Sequence, residues 1–298
     1  MQRWVLAVGT FAALVAVTGC RAVVPQQVDL PLAPAARNDR HWQANLAKIP
    51  FAEFDGDEVT IHNVRQTVYL TSDDYIVRHR TEKLSLDDVV SVDLMVCPFP
   101  ELPSLAHTML SFGLHHGKHL VLSVEARLEE GETYSPVDGM LDRFELIYVM
   151  ADEKDPVLLR TKYRGDPVLL FPLNLTPAES RRAFEDALAY ANKLKERPEF
   201  YNTLSNNCTT GILRHIEAAR PTGILFDPRI VFTGLTDRVA YDFGLVADSI
   251  SYEHARRRAD ITELANRYAA SPLFSQQIRI GMSASQVAAA VASSPGNR

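Results

Sequence analysis

A cysteine that follows two asparagines is the residue of this sequence best placed for chemistry. Asn206 and Asn207 precede Cys208, and a helical pattern of apolar residues begins directly behind it. The apolar positions of that pattern are Ile212, Leu213, Ile216 and Ala219. Asn207 is a favourable N-cap residue, so Cys208 is predicted to be the first residue of a helix. The positive end of the helix dipole would favour a thiolate there, and a free N–H beside it would form half of an oxyanion hole.

Two other interpretations of Cys208 stay open on the residues alone. A cysteine at a helix start is also typical of a small packed residue or of a disulfide partner. The chain has three cysteines, Cys20, Cys97 and Cys208. A Cys97–Cys208 disulfide is therefore the structural alternative to a reactive thiol, in a compartment that permits disulfides.

A candidate base and a polar strand face lie upstream of this cysteine. His107 stands near the start of an apolar, strand-like segment at residues 105–113, and the segment at residues 118–128 alternates strictly between apolar and polar positions. Its second face carries Ser123, Glu125 and Arg127, which predicts a polar wall, with a solvent-exposed sheet face as the alternative. Three further histidines fall in a predicted hairpin turn without ligand-like spacing, so neither a metal nor a cofactor is expected. They are His115, His116 and His119.

The N-terminus carries an export signal. Arg3 precedes an apolar stretch at residues 4–17 that is too short to span a bilayer, and the stretch ends at Val17-Thr18-Gly19-Cys20. This motif resembles the lipobox of bacterial lipoproteins, which implies a lipidated (palmitate-bearing) Cys20 after removal of residues 1–19. With Arg21 next, the resemblance favours delivery to the periplasmic face of the outer membrane. The acyl chains would anchor the protein to one leaflet.

Composition is that of an ordinary globular protein and gives no reason to expect nucleic acid. The chain has 298 residues, 46% of them hydrophobic, and a net charge of −6. We expect a Pro- and Ala-rich tether at residues 20–40, one folded domain at residues 41–270 and a flexible tail at residues 271–298. Several predicted strands, the segment at residues 156–161 among them, precede the first long helix, which is predicted to start at a capping box of Thr176 and Glu179. This order indicates an α+β fold with an antiparallel sheet packed by helices.

Four segments together resemble a bacterial family named for the N-terminal periplasmic domain of the Lnb-type lipoprotein N-acyltransferases. They are Asn63-Val64-Arg65, the segment around His107 (residues 106–112), Ser123-Val124-Glu125-Ala126-Arg127 and the block at residues 198–210. The resemblance implies a permuted papain-like fold, in which the histidine precedes the cysteine in the chain. It also implies a Cys–His acyl-transfer centre in which Cys208 and His107 match the key positions.

The resemblance leaves the third member of the centre open between Glu125 and Asn206, with Glu125 placed first. The side chains expected to support the pocket are Asn206, Asn207, Ser123, Arg127 and Tyr201. The implied function is a thiol acyltransferase, or an amidase or esterase, that acts on lipid, lipoprotein or cell-wall peptide. The acyltransferases carry a transmembrane region after this domain, whereas no apolar run of spanning length follows Cys20 here. The alternative is a non-catalytic envelope lipoprotein that binds lipid or a protein partner.

Overall fold

One mostly antiparallel sheet forms the centre of the molecule. The computed structural model describes residues 35–246 and 251–282, and the described residues from Ala36 onward belong to one compact unit. The strands in this part of the chain are β1 (Phe51–Asp55), β2 (Glu58–Tyr69), β3 (Tyr75–Ser85), β4 (Val89–Phe99), β5 (Leu102–Leu114), β6 (His119–Arg127), β7 (Phe144–Asp152), β8 (Leu169–Pro172) and β9 (Phe200–Tyr201).

The strand order is β1-β2-β7-β6-β5-β4-β8, with β3 paired to β2 and β9 paired to β7. Every neighbouring pair is antiparallel except β2 and β7, which meet in parallel at Arg65 and Ala151. Successive strands from β4 to β7 are joined by local connections, so this part of the sheet needs no long crossover.

The helices follow mainly in the second half of the chain, as the sequence predicts. They are α1 (Pro136–Met140), α2 (Lys154–Leu158), a π-helical turn (Leu159–Arg164), α3 (Pro177–Glu196), α4 (Cys208–Ala219), α5 (Thr236–Asp242), α6 (Tyr252–Ala259), α7 (Thr262–Arg267) and α8 (Phe274–Gln277). Short 3₁₀ turns lie at Ala44–Leu46, Leu86–Asp88, His115–Gly117, Ile224–Phe226, Pro228–Val231 and Thr233–Leu235. The expected α+β architecture is confirmed.

Helices cover both faces of the sheet. On one face, the apolar stripes of α3 and α4 share one core with the even-numbered positions of β6, including the fully buried Val124. Helix α3 begins at a capping box formed by Thr176 and Glu179, as predicted, and its stripe from Ala183 to Leu194 is buried. On the other face, α2, α7 and α8 enclose a second core around Met95.

Three expectations about the chain are wrong. Residues 156–161 were predicted as a strand, but they belong to α2 and the π-helical turn. The tether was expected to reach residue 40, yet Asn38 donates a hydrogen bond to the Leu194 carbonyl oxygen at 3.1 Å. The flexible tail was expected from residue 271, yet Phe274 and Ile278 are buried in the second core. The signal segment and Cys20 lie outside the described residues, as do residues 283–298.

Candidate functional site

The site lies where two central strands of the sheet separate. Strands β5 and β6 pair from Gly113–His119 to Met109–Ser123 and no further. Beyond that point β5 continues beside β4 and β6 continues beside β7. Side chains from both strands therefore border a gap in the sheet, and the start of α4 points into the same region.

Cys208 is the first residue of α4, as predicted, and Asn207 is its N-cap. The Asn207 side chain accepts a hydrogen bond from the Thr210 N–H at 3.0 Å, and the Asn207 N–H donates to the Thr210 hydroxyl at 2.9 Å. The cap thus leaves the Cys208 N–H to other acceptors. One turn later, Gly211 lets α4 approach β6, because a Cβ there would lie only 3.0 Å from Val124 Cγ1.

Cys208 and His107 are in contact at this gap. Both side chains are buried and line the same pocket, where the imidazole lies close enough to the thiol to act on its pKa through hydrogen bonding and charge. Burial alone would raise the pKa of the Cys208 thiol, but the hydrogen bond and charge of His107 outweigh it and hold the pKa below its ordinary value. The thiol proton also faces the Ala106 carbonyl oxygen, with Sγ 3.7 Å from that oxygen.

The imidazole of His107 is held from its far side by Ser123 and Glu125. Its Nε2 lies 2.7 Å from Ser123 Oγ and 3.2 Å from Glu125 Oε1, and the Ser123 hydroxyl donates to Glu125 at 2.6 Å. Nδ1 is therefore the ring nitrogen left for Cys208. Burial would lower the pKa of His107, but the charge of Glu125 raises it above the ordinary value. The same burial would raise the pKa of Glu125, and the charge of His107 instead lowers it well below its usual range.

Cys97 is a free thiol beside this pair and not its disulfide partner. It lies directly opposite His107 across the β4–β5 ladder, so the two side chains share one face of the sheet. Both Cys97 and Cys208 are unbridged. Burial raises the pKa of Cys97 to about 12, which leaves Cys208 as the cysteine with thiolate character.

The structure brings together some of the predicted supporting residues and separates others. Tyr201 lines the pocket beside Cys208. Asn206 instead donates to the Phe200 carbonyl oxygen at 2.9 Å, which leaves Glu125 as the candidate carboxylate in contact with His107. Arg127 is buried away from the pocket: it donates to the Leu46 carbonyl oxygen at 2.9 Å and thereby ties the N-terminal segment to β6.

Several pocket residues were missed by sequence reasoning. The cavity in front of Cys208 measures about 230 Å³. Its wall includes Arg65, Arg160, Arg164, Tyr134 and Thr233. Arg160 was missed because residues 156–161 were predicted as a strand, and no prediction covered Arg164, which follows that segment. The π-helical turn sets both arginines toward the cavity. Arg65 had been noted only as part of the family resemblance.

Elements joined to pocket residues on two borders carry exposed apolar side chains. On one side, pocket residue Thr203 donates from its hydroxyl to the Pro136 carbonyl oxygen at 2.9 Å, which joins α1 to the loop before α4. On the other side, the Ala106 N–H donates to the hydroxyl of pocket residue Thr233 at 2.7 Å. The exposed apolar residues on these two borders are Leu102, Val137, Met140, Leu141, Leu204, Phe232 and Leu235.

Comparison with protein families decides the relationship of this chain. The family model described as the Lnb N-terminal periplasmic domain matches residues 75–234, which is more than half of the chain. The chain belongs to this family. The match includes β5, β6 and α4, and therefore His107, Glu125 and Cys208.

The periplasmic description of the family indicates that the protein belongs to the bacterial envelope. No curated protein and no solved structure matches the chain. Within residues 35–246 and 251–282, no helix is both long enough and apolar enough to cross a membrane.

Proposed function

We propose that this protein is an envelope acyltransferase, or an amidase or esterase, that works through a thioester on Cys208. The observation that carries the proposal is the contact of Cys208 with His107, whose Nε2 lies 3.2 Å from Glu125. A thiol at a helix start, an imidazole and an orienting carboxylate form the arrangement that activates a cysteine nucleophile. The order in the chain is histidine first, as in a permuted papain-like centre.

In the proposed first step, His107 accepts the proton of Cys208 and the thiolate attacks the carbonyl carbon of the acyl donor. A sulfur–carbon bond forms, the bond from that carbon to the donor oxygen or nitrogen breaks, and His107 protonates the departing alcohol or amine. The Cys208 N–H supports the oxyanion. Water or an amine then attacks the thioester and gives its proton to His107, and Cys208 leaves as the thiolate.

The pocket borders favour a substrate with an acyl chain. Leu204 and Phe232 are among the exposed apolar side chains on the two borders, and both are at least half exposed, at 50% and 53%. Exposed apolar side chains near a pocket are typical of a lipid or protein contact surface. Of the donors considered, lipid and lipoprotein fit these borders better than cell-wall peptide does. We further propose that a lipidated Cys20 holds the protein at the outer membrane, so that the pocket meets its substrate there.

Acylation of Cys208 by a model ester tests this proposal. The protein is incubated with p-nitrophenyl octanoate and its intact mass is measured, with neutral hydroxylamine added to a second sample. We expect one octanoyl group on Cys208, released by hydroxylamine as a thioester should be, and slow acylation of His107→Ala. Cys97→Ala is the matched control and should acylate like the wild type. Absence of acylation at Cys208, or equal acylation of His107→Ala, would contradict the proposal.

A further inference from the structure

Three arginines contribute to the wall of the pocket in front of Cys208. Arg65 comes from β2, and Arg160 and Arg164 come from the π-helical turn at Leu159–Arg164. Residues four apart on such a turn lie near one another, which explains why both of its arginines reach the cavity. Gly165, with a positive φ of 76°, ends the turn directly after Arg164.

Two of these guanidinium groups are neutralised within the protein. Arg65 is buried and makes a two-point ion pair with Asp155, at 2.8 Å and 3.1 Å. Arg160 is buried and donates to Asp166 at 3.1 Å. Each of these carboxylates balances the charge of its arginine, so neither Arg65 nor Arg160 has its charge free for a ligand.

Arg164 differs from both. It is exposed, it lines the cavity, and within the described residues it has neither a hydrogen bond nor an ion pair. The charged groups whose fields act on it include Arg160, Glu125 and Asp166. Asp166 accepts a hydrogen bond from Arg160, and Glu125 pairs with His107 and accepts a hydrogen bond from Ser123. Neither carboxylate therefore pairs with the N–H donors of Arg164.

An unpaired guanidinium at the wall of a partly enclosed cavity is well suited to bind an oxyanion. Its fork of N–H donors matches two oxygens of a phosphate or a carboxylate. We propose that Arg164 binds an anionic group of the substrate, a phosphate ester or a carboxylate, while the acyl carbonyl lies at Cys208. This inference rests on the proposed function, because it assigns a chemical class to the substrate of the same pocket.

Paired alkylating agents test the anion site without knowledge of the substrate. Iodoacetate carries a carboxylate and iodoacetamide is its neutral analogue, so the ratio of their rates at Cys208 reports the attraction of an anion to the pocket. We expect Arg164→Met to lower the iodoacetate-to-iodoacetamide ratio by roughly fivefold to tenfold, the size of one charge interaction at the protein surface. Arg164→Lys should keep most of the preference. Arg78→Met is the control, since Arg78 is also unpaired among the described residues but lies outside the pocket wall.

A ratio that is the same in the wild type and in Arg164→Met would overturn the anion site. This outcome is distinct from failure of the proposed function, in which Cys208 would react with iodoacetamide only as an ordinary thiol. The ratio can be measured even then, because it does not depend on how fast the two reactions are.

Protection experiments identify which anion the site takes. Cys208 is alkylated with iodoacetamide in the presence of dihexanoylphosphatidylglycerol or of N-acetyl-alanyl-alanine with a free carboxylate. Protection by the phospholipid assigns a phosphate ester, and protection by the dipeptide assigns a carboxylate, provided that Arg164→Met weakens it by roughly fivefold or more. Protection by neither compound, or protection that Arg164→Met leaves unchanged, would contradict the proposal.

Discussion

His107 Nε2 lies 3.2 Å from Glu125 Oε1, although the strands that carry the two residues no longer hydrogen-bond to each other at this point. The separation of β5 and β6 opens a gap in the sheet, and the start of α4 borders that gap. The candidate centre thus depends on a local end of sheet pairing.

The first prediction is that Cys208 and His107 act as a unit. Cys208→Ala and His107→Ala should each lower ester turnover by about 10³-fold, because each removes a member of the same proton-transfer step. The double variant should lose little more than either single one. Turnover of p-nitrophenyl octanoate measures these losses. If the fold-loss of the double variant equalled the product of the two single fold-losses, the two residues would act independently.

The second prediction concerns the carboxylate. Glu125→Gln should lower turnover by about 10- to 100-fold. Glu125 raises the pKa of His107, so without its charge the imidazolium loses its proton at lower pH and the alkaline limb of the pH–rate profile moves down. Cys208 then loses part of its imidazolium partner, so the acid limb moves up. The active pH range should narrow from both sides.

Glu129→Gln is the control for that change. Glu129 follows β6 and pairs with Arg40 at 2.8 Å, outside the pocket wall. The pH–rate profile of Glu129→Gln should match that of the wild type. If both limbs of the Glu125→Gln profile stayed at their wild-type pH, the carboxylate would not be shifting the pKa values of His107 and Cys208.

The third prediction concerns stability. Arg65→Met should lower the free energy of unfolding by about 3–5 kcal/mol, because it leaves the Asp155 carboxylate buried without its partner. Lys193→Met removes a half-exposed partner of Glu199 and should cost less than about 1 kcal/mol. Urea unfolding measures the free energy of unfolding of both variants. If both lost less than about 1 kcal/mol, the buried Arg65–Asp155 pair would not be more important for stability than the exposed pair.

The fourth prediction concerns the membrane anchor. If residues 17–20 are a lipobox, the mature protein begins at Cys20 with attached acyl chains. Mass spectrometry of protein extracted from membranes should find this modified N-terminus, and Cys20→Ser should abolish it. An unmodified Cys20, or retention of residues 1–19, would count against the anchor.

Local signals in the sequence predicted the parts of the site that local chemistry determines. Asn207 identified the start of α4 because the contacts of an N-cap residue lie within the first turn of its helix. The strict alternation of β6 placed Ser123 and Glu125 on one face of the sheet. Residues 156–161 gave no such signal, since a short apolar run lacks a period and fits either element. Arg160, which contributes to the pocket wall, lies in this segment and was missed for the same reason.

Long-range ion pairs were the second part that the sequence did not predict. Arg279 is mostly buried and pairs with both Asp93 and Glu153 at 2.6 Å, which fixes the segment after α8 on the sheet. These partners lie more than 120 residues away in the chain, so no local pattern joins them. The expected flexible tail was wrong at its start for this reason.

The pH dependence of Cys208 alkylation tests the central claim most directly. Iodoacetamide rates are measured from pH 5 to pH 10 in the wild type, in His107→Ala and in the control Cys97→Ala. Because His107 lowers the pKa of Cys208, the alkylation rates of the wild type and of Cys97→Ala should reach their midpoint below the ordinary thiol value of about 8.5. His107→Ala should react slowly until the pH passes that value. A wild-type midpoint at the ordinary value, or one that His107→Ala leaves unchanged, would contradict the account.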